Sequence, residues 1–386
     1  MRKRKICVVI GTAMVLNSLY KGQFKFLMDN GFEITGLAPK GIEHEWLRND
    51  GIKTKVILLK RLPSVFHDTL SVVQLTWFFL FNRFDIISIS TPKAALVGAI
   101  ASFITFHKNV IYTQRGRVYE NTTGFKRFFY ESIERFIFKV SKKIFCISHE
   151  LKDEFVLKKY CSPNKIFVIN SGSSNGVDLQ IFTKNPVNIK EGSSIREKFG
   201  LKPEDILILY SGRLRKDKGI NELVYAFLDL TKSYSNLYLL LQGRFEEIDP
   251  INSDVKREIE NNRKVFTEPW SKLIDKYLAA ADIFAFPSHR EGFGNVAIEA
   301  SAMELPVVGF NVTGCRESIN NGISGILVEP ISSNSLKNGL EQLIINPDLR
   351  KKLGENGRKW VEKEFDSKII WDELLKVYNE MTKSTT

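Results

Sequence analysis

The chain has 386 residues, 43% hydrophobic and 26% charged, which gives two or three domains at ~150 residues each and excludes disordered and fibrous classes. Its formal net charge of +12 is one-sided: residues 1–186 carry 28 Lys+Arg against 14 Asp+Glu, and residues 187–386 carry 28 against 30. A strongly basic half beside a near-neutral one implies an anionic partner: nucleic acid, a membrane surface or a phosphorylated substrate.

The chain opens on Arg2-Lys3-Arg4-Lys5 and an apolar run over 6–16, which imitates a secretion signal. No small-residue cleavage site follows, and the pattern continues into a helix, so the run reads as part of the fold. Strands are predicted over 5–10, 33–38, 86–90, 109–112, 143–147 and 165–169, separated by helices over 18–30, 69–81, 94–107, 125–140 and 149–160. Several strands are apolar on both faces, as a parallel sheet between helix layers requires. The apolar runs 70–81 and 94–106 fall short of the ~20 residues that span a bilayer and read as buried helices. Residues 183–194, polar and broken by Gly and Pro, read as a linker.

The pattern then restarts. Strands are predicted over 207–211, 237–242, 264–267, 283–287, 306–310 and 325–328, with helices over 221–233, 253–261, 272–280, 294–302 and 335–345. A helical tail covers 348–381. The expectation is α/β: two βα-repeat domains, 1–186 and 187–365, and a C-terminal helix over 366–386 that returns toward the first. Parallel sheets bind ligands beyond their strand C-termini, so the cleft between two such domains is the expected site.

Four cysteines, Cys7, Cys146, Cys161 and Cys315, form no C-x-x-C pair and read as reduced thiols. Five scattered histidines lack metal-ligand spacing, so no metal site is expected.

Five loops that follow strands carry candidate chemistry. Ser211-Gly212-Arg213-Leu214-Arg215-Lys216-Asp217-Lys218-Gly219 places four cations within six residues ahead of a helix N-terminus, which suits a diphosphate. The plain alternative is a solvated basic turn. In Pro287-Ser288-His289-Arg290-Glu291-Gly292-Phe293-Gly294-Asn295-Val296, two glycines free the backbone to wrap a ligand, and a helix start at Asn295 points its positive end there. Glu291 and Glu299 would serve donor hydroxyl recognition, a glycosidase-like carboxylate pair, or only capping and surface charge. Gly11, at the end of the first strand, admits a phosphate or sugar, although G-x-G-x-x-G is absent. Arg115 and Arg117 would hold a phosphate, or belong to a surface turn. Ser171-Gly172-Ser173-Ser174-Asn175-Gly176 reads as backbone close to a ligand or as an interdomain loop.

Together these residues resemble the retaining GT-B glycosyltransferases of family 4. The resemblance rests on Gly212-Arg213-Leu214 with Lys218-Gly219, Pro287-Ser288, Glu291-Gly292-Phe293-Gly294 and Glu299-Ala300, and continues through Pro306-Val307-Val308, Gly314, Glu317, Gly322 and Gly325. Gly176-Val177-Asp178 with Phe182, and residues 16–31, resemble enzymes that build capsule, O-antigen and related polysaccharides.

The resemblance implies two Rossmann-like domains facing across a cleft, the second binding a nucleotide-sugar, with UDP the expected nucleotide. Arg213 and Lys218 would neutralise the leaving diphosphate and Glu291 would hold the donor sugar, these three forming the expected catalytic set. Gly11, Gly212, Gly243, Gly292, Phe293, Gly294, Asn295, Val296 and Glu299 would complete the donor site. Arg115, Arg117 and Asn175 would meet the acceptor or a phosphate. Many family members carry His where this chain has Gln114-Arg115-Gly116, so no His role transfers. Retention of configuration by front-side attack is implied. No D-x-D triplet occurs, which with Arg213 and Lys218 favours metal-free stabilisation of the leaving group. No cofactor is expected beyond the substrate itself.

Residues 125–143 combine an aromatic stripe with Arg127, Arg135, Lys139, Lys142 and Lys143. Such a helix lies on an anionic bilayer, or packs on the core with a solvated basic face. With the first reading, the resemblance implies a lipid-diphosphate-linked acceptor, undecaprenyl-based, and a cytoplasmic enzyme held peripherally on the cytoplasmic face of the bacterial inner membrane. The competing readings are a nucleotide-sugar 2-epimerase on the same fold, and a non-enzymatic basic module. Nucleic-acid signatures are absent.

Overall fold

The computed structural model describes residues 2–20, 22–60, 64–117, 119, 122–271 and 273–383. Lys21, Val118, Glu120 and Lys272, which fall in segments discussed above, lie outside the described residues. The chain divides into two compact units. One runs to Asn175 and resumes at Lys368; the other is Gly176–Ser367.

The first unit contains β1 (Arg4–Val9), α1 (Ala13–Ser18), α2 (Gln23–Asp29), β2 (Phe32–Ala38), α3 (Glu43–Asn49), β3 (Lys53–Val56), α4 (Val65–Phe81), β4 (Ile86–Ser90), α5 (Pro92–Ile104), β5 (Val110–Gln114), α6 (Gly124–Val140), β6 (Lys143–Cys146), α7 (His149–Leu157) and β7 (Ile166–Phe167). Its seven strands form a parallel sheet in the order β3-β2-β1-β4-β5-β6-β7. Alternation along β1 shows why both faces are apolar. Cys7 and Val9 pack with Leu75 and Phe79 of α4, while Ile6 and Val8 pack with Phe24 and Leu27 of α2.

The second unit contains α8 (Pro186–Lys198), β8 (Ile206–Ser211), α9 (Ile220–Leu230), β9 (Leu237–Gln242), α10 (Ser253–Asn261), β10 (Val265–Glu268), α11 (Ile274–Ala280), β11 (Ile283–Phe286), α12 (Asn295–Ala302), β12 (Val307–Phe310), α13 (Cys315–Ser318), β13 (Gly325–Val328), α14 (Ser333–Ile345) and α15 (Pro347–Glu364). Its six strands are parallel in the order β10-β9-β8-β11-β12-β13. Ile208 and Tyr210 of β8 face Val224 and Leu340, and Leu207 and Leu209 face Leu278 and Ala297. The last helix, α16 (Ser367–Lys383), buries Ile370, Leu374, Tyr378 and Met381 in the core of the first unit.

The structure departs from the sequence reading in three places. Residues 183–194 are not a linker: they hold most of α8, whose Gly192 lies against the backbone of Ala279 and Ala280 in α11. The crossing falls earlier, after Asn175, because Val177 already bonds to the second unit. Its N–H donates to the Phe365 carbonyl at 2.7 Å, and its own carbonyl accepts from Ser367 at 3.0 Å. The helix expected over 18–30 is confined to α2, and Gly22 just ahead of it takes φ +76°, where the Trp371 ring occupies the space that a side chain would need. Finally, α4 is not a buried helix. Ser71, Leu75 and Phe79 are buried, but Phe66, Leu70, Val73, Trp77 and Phe81 are exposed. By contrast, α5 is buried along most of its length.

Candidate active site

In the second unit the sheet order reverses between β8 and β11. Open parallel sheets bind ligands at such a reversal, beyond the strand C-termini. The loops after β8 and β11 leave the sheet there side by side. Gly219 holds them together: at φ +69° it lies so close to the Pro287 carbonyl that a Cβ has no room. The His289 N–H donates to the Asp217 carbonyl at 3.0 Å. Gly212 donates its N–H to Gln242 at 2.9 Å, and Gly243 sits directly against the Gly212 carbonyl.

Within this frame Lys218 Nζ lies 2.5 Å from Glu291 Oε1, and Ser288 Oγ donates to the same oxygen at 2.8 Å. Ser288 is fully buried, so it fixes the carboxylate from below. Arg213 is exposed, and its guanidinium pairs with no carboxylate among the described residues. Its carbonyl accepts from the Tyr210 hydroxyl at 2.9 Å. Burial pushes the Tyr210 phenol well above its ordinary pKa, and the Glu291 charge adds to that, so it stays a donor.

The four cations of this loop do not act alike. Arg215 is neutralised by Asp217 at 2.5 Å and Asp249 at 3.6 Å, and Arg290 approaches Asp217 at 3.5 Å. Arg215 therefore braces the loop, while Lys216 is exposed. Behind the loop, His289 and Glu222 are 3.2 Å apart. Burial raises the Glu222 pKa, but hydrogen bonds from His289 and from its own backbone outweigh it, and the net shift is downward.

Asn295 and Val296 open α12, half-buried beside this loop, and Glu299 follows one turn later, also half-buried. A side chain at Gly294 would strike the Phe286 ring and the Ser318 hydroxyl. Gly292 is half-exposed. The Phe293 ring is buried 5.6 Å from the Phe365 ring, so it belongs to the core and leaves only backbone to the loop.

The sheet of the first unit reverses between β1 and β4. Gly11 follows β1 and Thr91 follows β4, and the Gly11 N–H donates to Thr91 Oγ1 at 2.9 Å. Thr91 takes φ +65°, rare for a β-branched residue. Arg115, just beyond β5, donates from Nε to Ser90 Oγ at 2.9 Å and from Nη1 to Ser174 Oγ. Its guanidinium lies 5.7 Å from the Tyr20 ring centroid and pairs with no carboxylate among the described residues. Gln114 turns inward and closes on Gly116, giving and accepting a hydrogen bond of 2.9 Å.

Two expected contacts are occupied otherwise. Arg117 is ion-paired with Glu154, so it is not a free cation. Asn175 Oδ1 accepts from Trp371 Nε1 at 2.7 Å and from Gln23 Nε2 at 3.4 Å, which ties α16 to the first unit. Sequence reasoning missed Ser90, Thr91 and Ser174 as anchors, since small polar residues carry no distinctive pattern. It also missed Glu134 of α6. This buried carboxyl is raised to about 7 by burial, against the opposing hydrogen bonds of Tyr112 and Gln114.

Residues 24–180 match the family described as Glycosyltransferase Family 4, and residues 192–360 match Glycosyl transferases group 1. The capsular polysaccharide biosynthesis glycosyltransferase CapM of Staphylococcus aureus is 36% identical over 369 residues, covering 95% of each chain. This chain belongs to glycosyltransferase family 4. A second relative of this glycosyltransferase is the Escherichia coli enzyme named UDP-Gal:alpha-D-GlcNAc-diphosphoundecaprenol alpha-1,3-galactosyltransferase. It is 25% identical over 324 residues, 82% of this chain and 81% of the relative. Among solved structures, Anabaena HepE in complex with UDP-glucose superposes with a TM-score of 0.79 over 97% of this glycosyltransferase and 99% of HepE, at 20% identity. That likeness establishes the GT-B fold.

Proposed function

We propose that this glycosyltransferase moves a sugar from a UDP-sugar to a glycan carried on undecaprenyl diphosphate, in the synthesis of a capsule or related surface polysaccharide. The observation that carries the reading is the set of Lys218, Glu291 and Ser288 beside Arg213, which pairs with no carboxylate among the described residues, at the reversal point of the second sheet. The donor diphosphate draws Lys218 and Arg213 to its leaving oxygens. Glu291, still held by Ser288, then accepts from a hydroxyl of the donor sugar. Gly212, Gly243, Gly292, Gly294 and the first N–H groups of α12 let the donor approach the backbone, and Glu299 accepts from the ribose. Arg115 binds the acceptor or its phosphate.

The acceptor hydroxyl attacks the anomeric carbon from the face that the diphosphate leaves, so configuration is retained. Its proton passes to the departing phosphate oxygen, and the two cations stabilise the charge that develops there. Metal independence rests on these cations and on the lack of a D-x-D triplet. The named substrates of the Escherichia coli relative and the UDP-glucose of HepE support the UDP donor, and the former supports the lipid carrier. CapM supports the capsule role. The epimerase reading is not favoured: both curated relatives above transfer glycosyl groups. No helix of the described residues is long and apolar enough to cross a membrane. The proposed lipid-linked acceptor calls for peripheral attachment at the inner membrane.

The test is a turnover screen over UDP-, GDP- and dTDP-sugars, with NMR of the product's anomeric proton and an EDTA arm. Turnover with UDP-sugars, retained configuration and full activity in EDTA are expected. Inversion, or loss of activity restored by added metal, would overturn the corresponding part of the mechanism.

A further inference from the structure

The helix α4 has two apolar faces where a surface helix needs one. Its inner face, Ser71, Leu75 and Phe79, is buried in the first unit. Its outer face repeats at the same helical spacing: Phe66, Leu70, Val73, Trp77 and Phe81, with Phe66, Val73, Trp77 and Phe81 at 60–70% exposure. Trp77 and Phe81 lie 4.8 Å apart, centroid to centroid. The neighbouring end of α5 adds Phe103 and Phe106, also exposed. Monomeric soluble proteins rarely leave so much contiguous aromatic surface in water.

Charge indicates what covers it. At the Phe81 end of α4, a cavity of about 310 Å³ opens at the start of the sheet. Lys5, Lys53, Lys55 and Arg83 line it with Phe78, against a single carboxylate, Glu33. Glu33 is taken by Lys53 at 2.9 Å, and Lys55 Nζ sits 4.3 Å over the Phe78 ring. A helix face of Trp, Phe and Val beside a cationic recess matches a bilayer surface, with acyl chains under the helix and anionic headgroups at the cations. A soluble protein partner would also meet apolar surface, but the unmatched positive charge selects a polyanionic one.

We propose that the outer face of α4 lies in the plane of an anionic bilayer, with Trp77 and Phe81 in the acyl boundary and the Lys5–Lys55–Arg83 recess holding a lipid phosphate. This rests on and deepens the membrane reading above by giving it a surface in addition to α6, where Phe125, Phe128 and Phe129 are also exposed. The opposite end of the same helix lies at the functional end of the sheet: Lys93, in the first turn of α5 after Thr91, is 2.7 Å from Asp68 of α4. A helix lying flat on the membrane therefore keeps the strand C-termini of this unit level with the headgroups, where a lipid-linked diphosphate sits.

The experiment is co-sedimentation of the full chain with vesicles of phosphatidylcholine alone or mixed with phosphatidylglycerol, with Trp fluorescence in parallel. Wild type is expected to bind the mixed vesicles with a blue shift. Trp77→Ser/Phe81→Ser should weaken partitioning by on the order of tenfold or more, with turnover of a soluble acceptor analogue unchanged. Trp77→Phe should keep the partitioning and lose most of the blue shift. Lys55→Glu should remove the preference for phosphatidylglycerol. Unchanged partitioning of the Trp77/Phe81 variant overturns the proposal. If Phe125→Ser/Phe128→Ser in α6 abolishes binding instead, the membrane reading survives and the α4 surface does not. If wild type ignores vesicles, both fall. A dimer seen by light scattering and lost on Trp77→Ser, without vesicle binding, assigns the face to a second copy.

Discussion

Arg213 and Lys218 differ in what surrounds them, although both are cations of one short loop. Arg213 is exposed with no carboxylate partner among the described residues, and Lys218 is held by Glu291 from 73 positions away. In the proposed mechanism both supply charge to the leaving diphosphate, so Arg213→Ala or Lys218→Ala should each cut kcat by roughly 10²–10³-fold. Steady-state kinetics checks this, and a near-wild-type kcat would remove that residue from the chemistry. Arg215→Ala should instead lower thermal stability, since its two carboxylates lose their counter-charge. Glu134 gives a prediction in pH. Its folded-state pKa of about 7 stands above the ordinary value of 4.5. Between those values the folded chain keeps a proton that the unfolded chain has released. Its contribution to stability is thus full below the unfolded pKa and is lost as pH rises through about 7, amounting to on the order of 3 kcal/mol. Glu134→Gln should flatten the unfolding free energy across this window in denaturant titrations at successive pH values. An unchanged slope would count against the burial account.

At the scale of elements, the site depends on two loops being locked together. Gly219→Ala asks a side chain to adopt φ +69° and to displace the Pro287 carbonyl. The first demand costs about 1 kcal/mol, and the second pushes the Ser288–Glu291 loop away from Lys218. Both melting temperature and UDP affinity, read by calorimetry, should fall, whereas a purely conformational cost would lower only the former. This local logic explains what the sequence could disclose. The motif loops follow strands whose two faces are both buried, so their runs are unbroken and the loops at their C-termini could be anticipated, whereas the strand order that makes two of them reversal points could not. Edge and helix elements that bury little were not legible. The edge strand β3 is Lys-Thr-Lys-Val, almost wholly exposed. The helix α8 buries only Asn188 and Gly192, because it meets α11 through a glycine instead of an apolar stripe. The reading of α4 as buried failed for the opposite reason: an apolar run does not say which of its two faces is covered. Nor could sequence separate Arg117, paired with Glu154, from Arg115, since partners distant in sequence decide that.

At the scale of the whole molecule, chain order and unit membership do not coincide. The chain leaves the first unit after Asn175, builds the entire second unit, and returns only at Lys368. The first unit is therefore incomplete until the last residues are in place. The helix α16 covers the face of its sheet where Ile6 and Val8 lie, burying Ile370, Leu374, Tyr378 and Met381, and is latched by Trp371 onto Asn175. Burying four such side chains is worth roughly 6–12 kcal/mol, the size of a whole domain's net stability. Leu374→Ala should then cost the first unit about 2–5 kcal/mol and leave the core of the second untouched. Pulse proteolysis in denaturant, with fragments assigned by mass spectrometry, reads the two units separately. Cleavage within residues 2–175 should begin at lower denaturant in the variant, while cleavage within 176–367 keeps its wild-type midpoint. Affinity for UDP, which we propose binds the second unit, should hold until that later transition. A parallel shift of both midpoints would show that the units unfold as one cooperative block, and that α16 stabilises the entire chain rather than the unit it packs in.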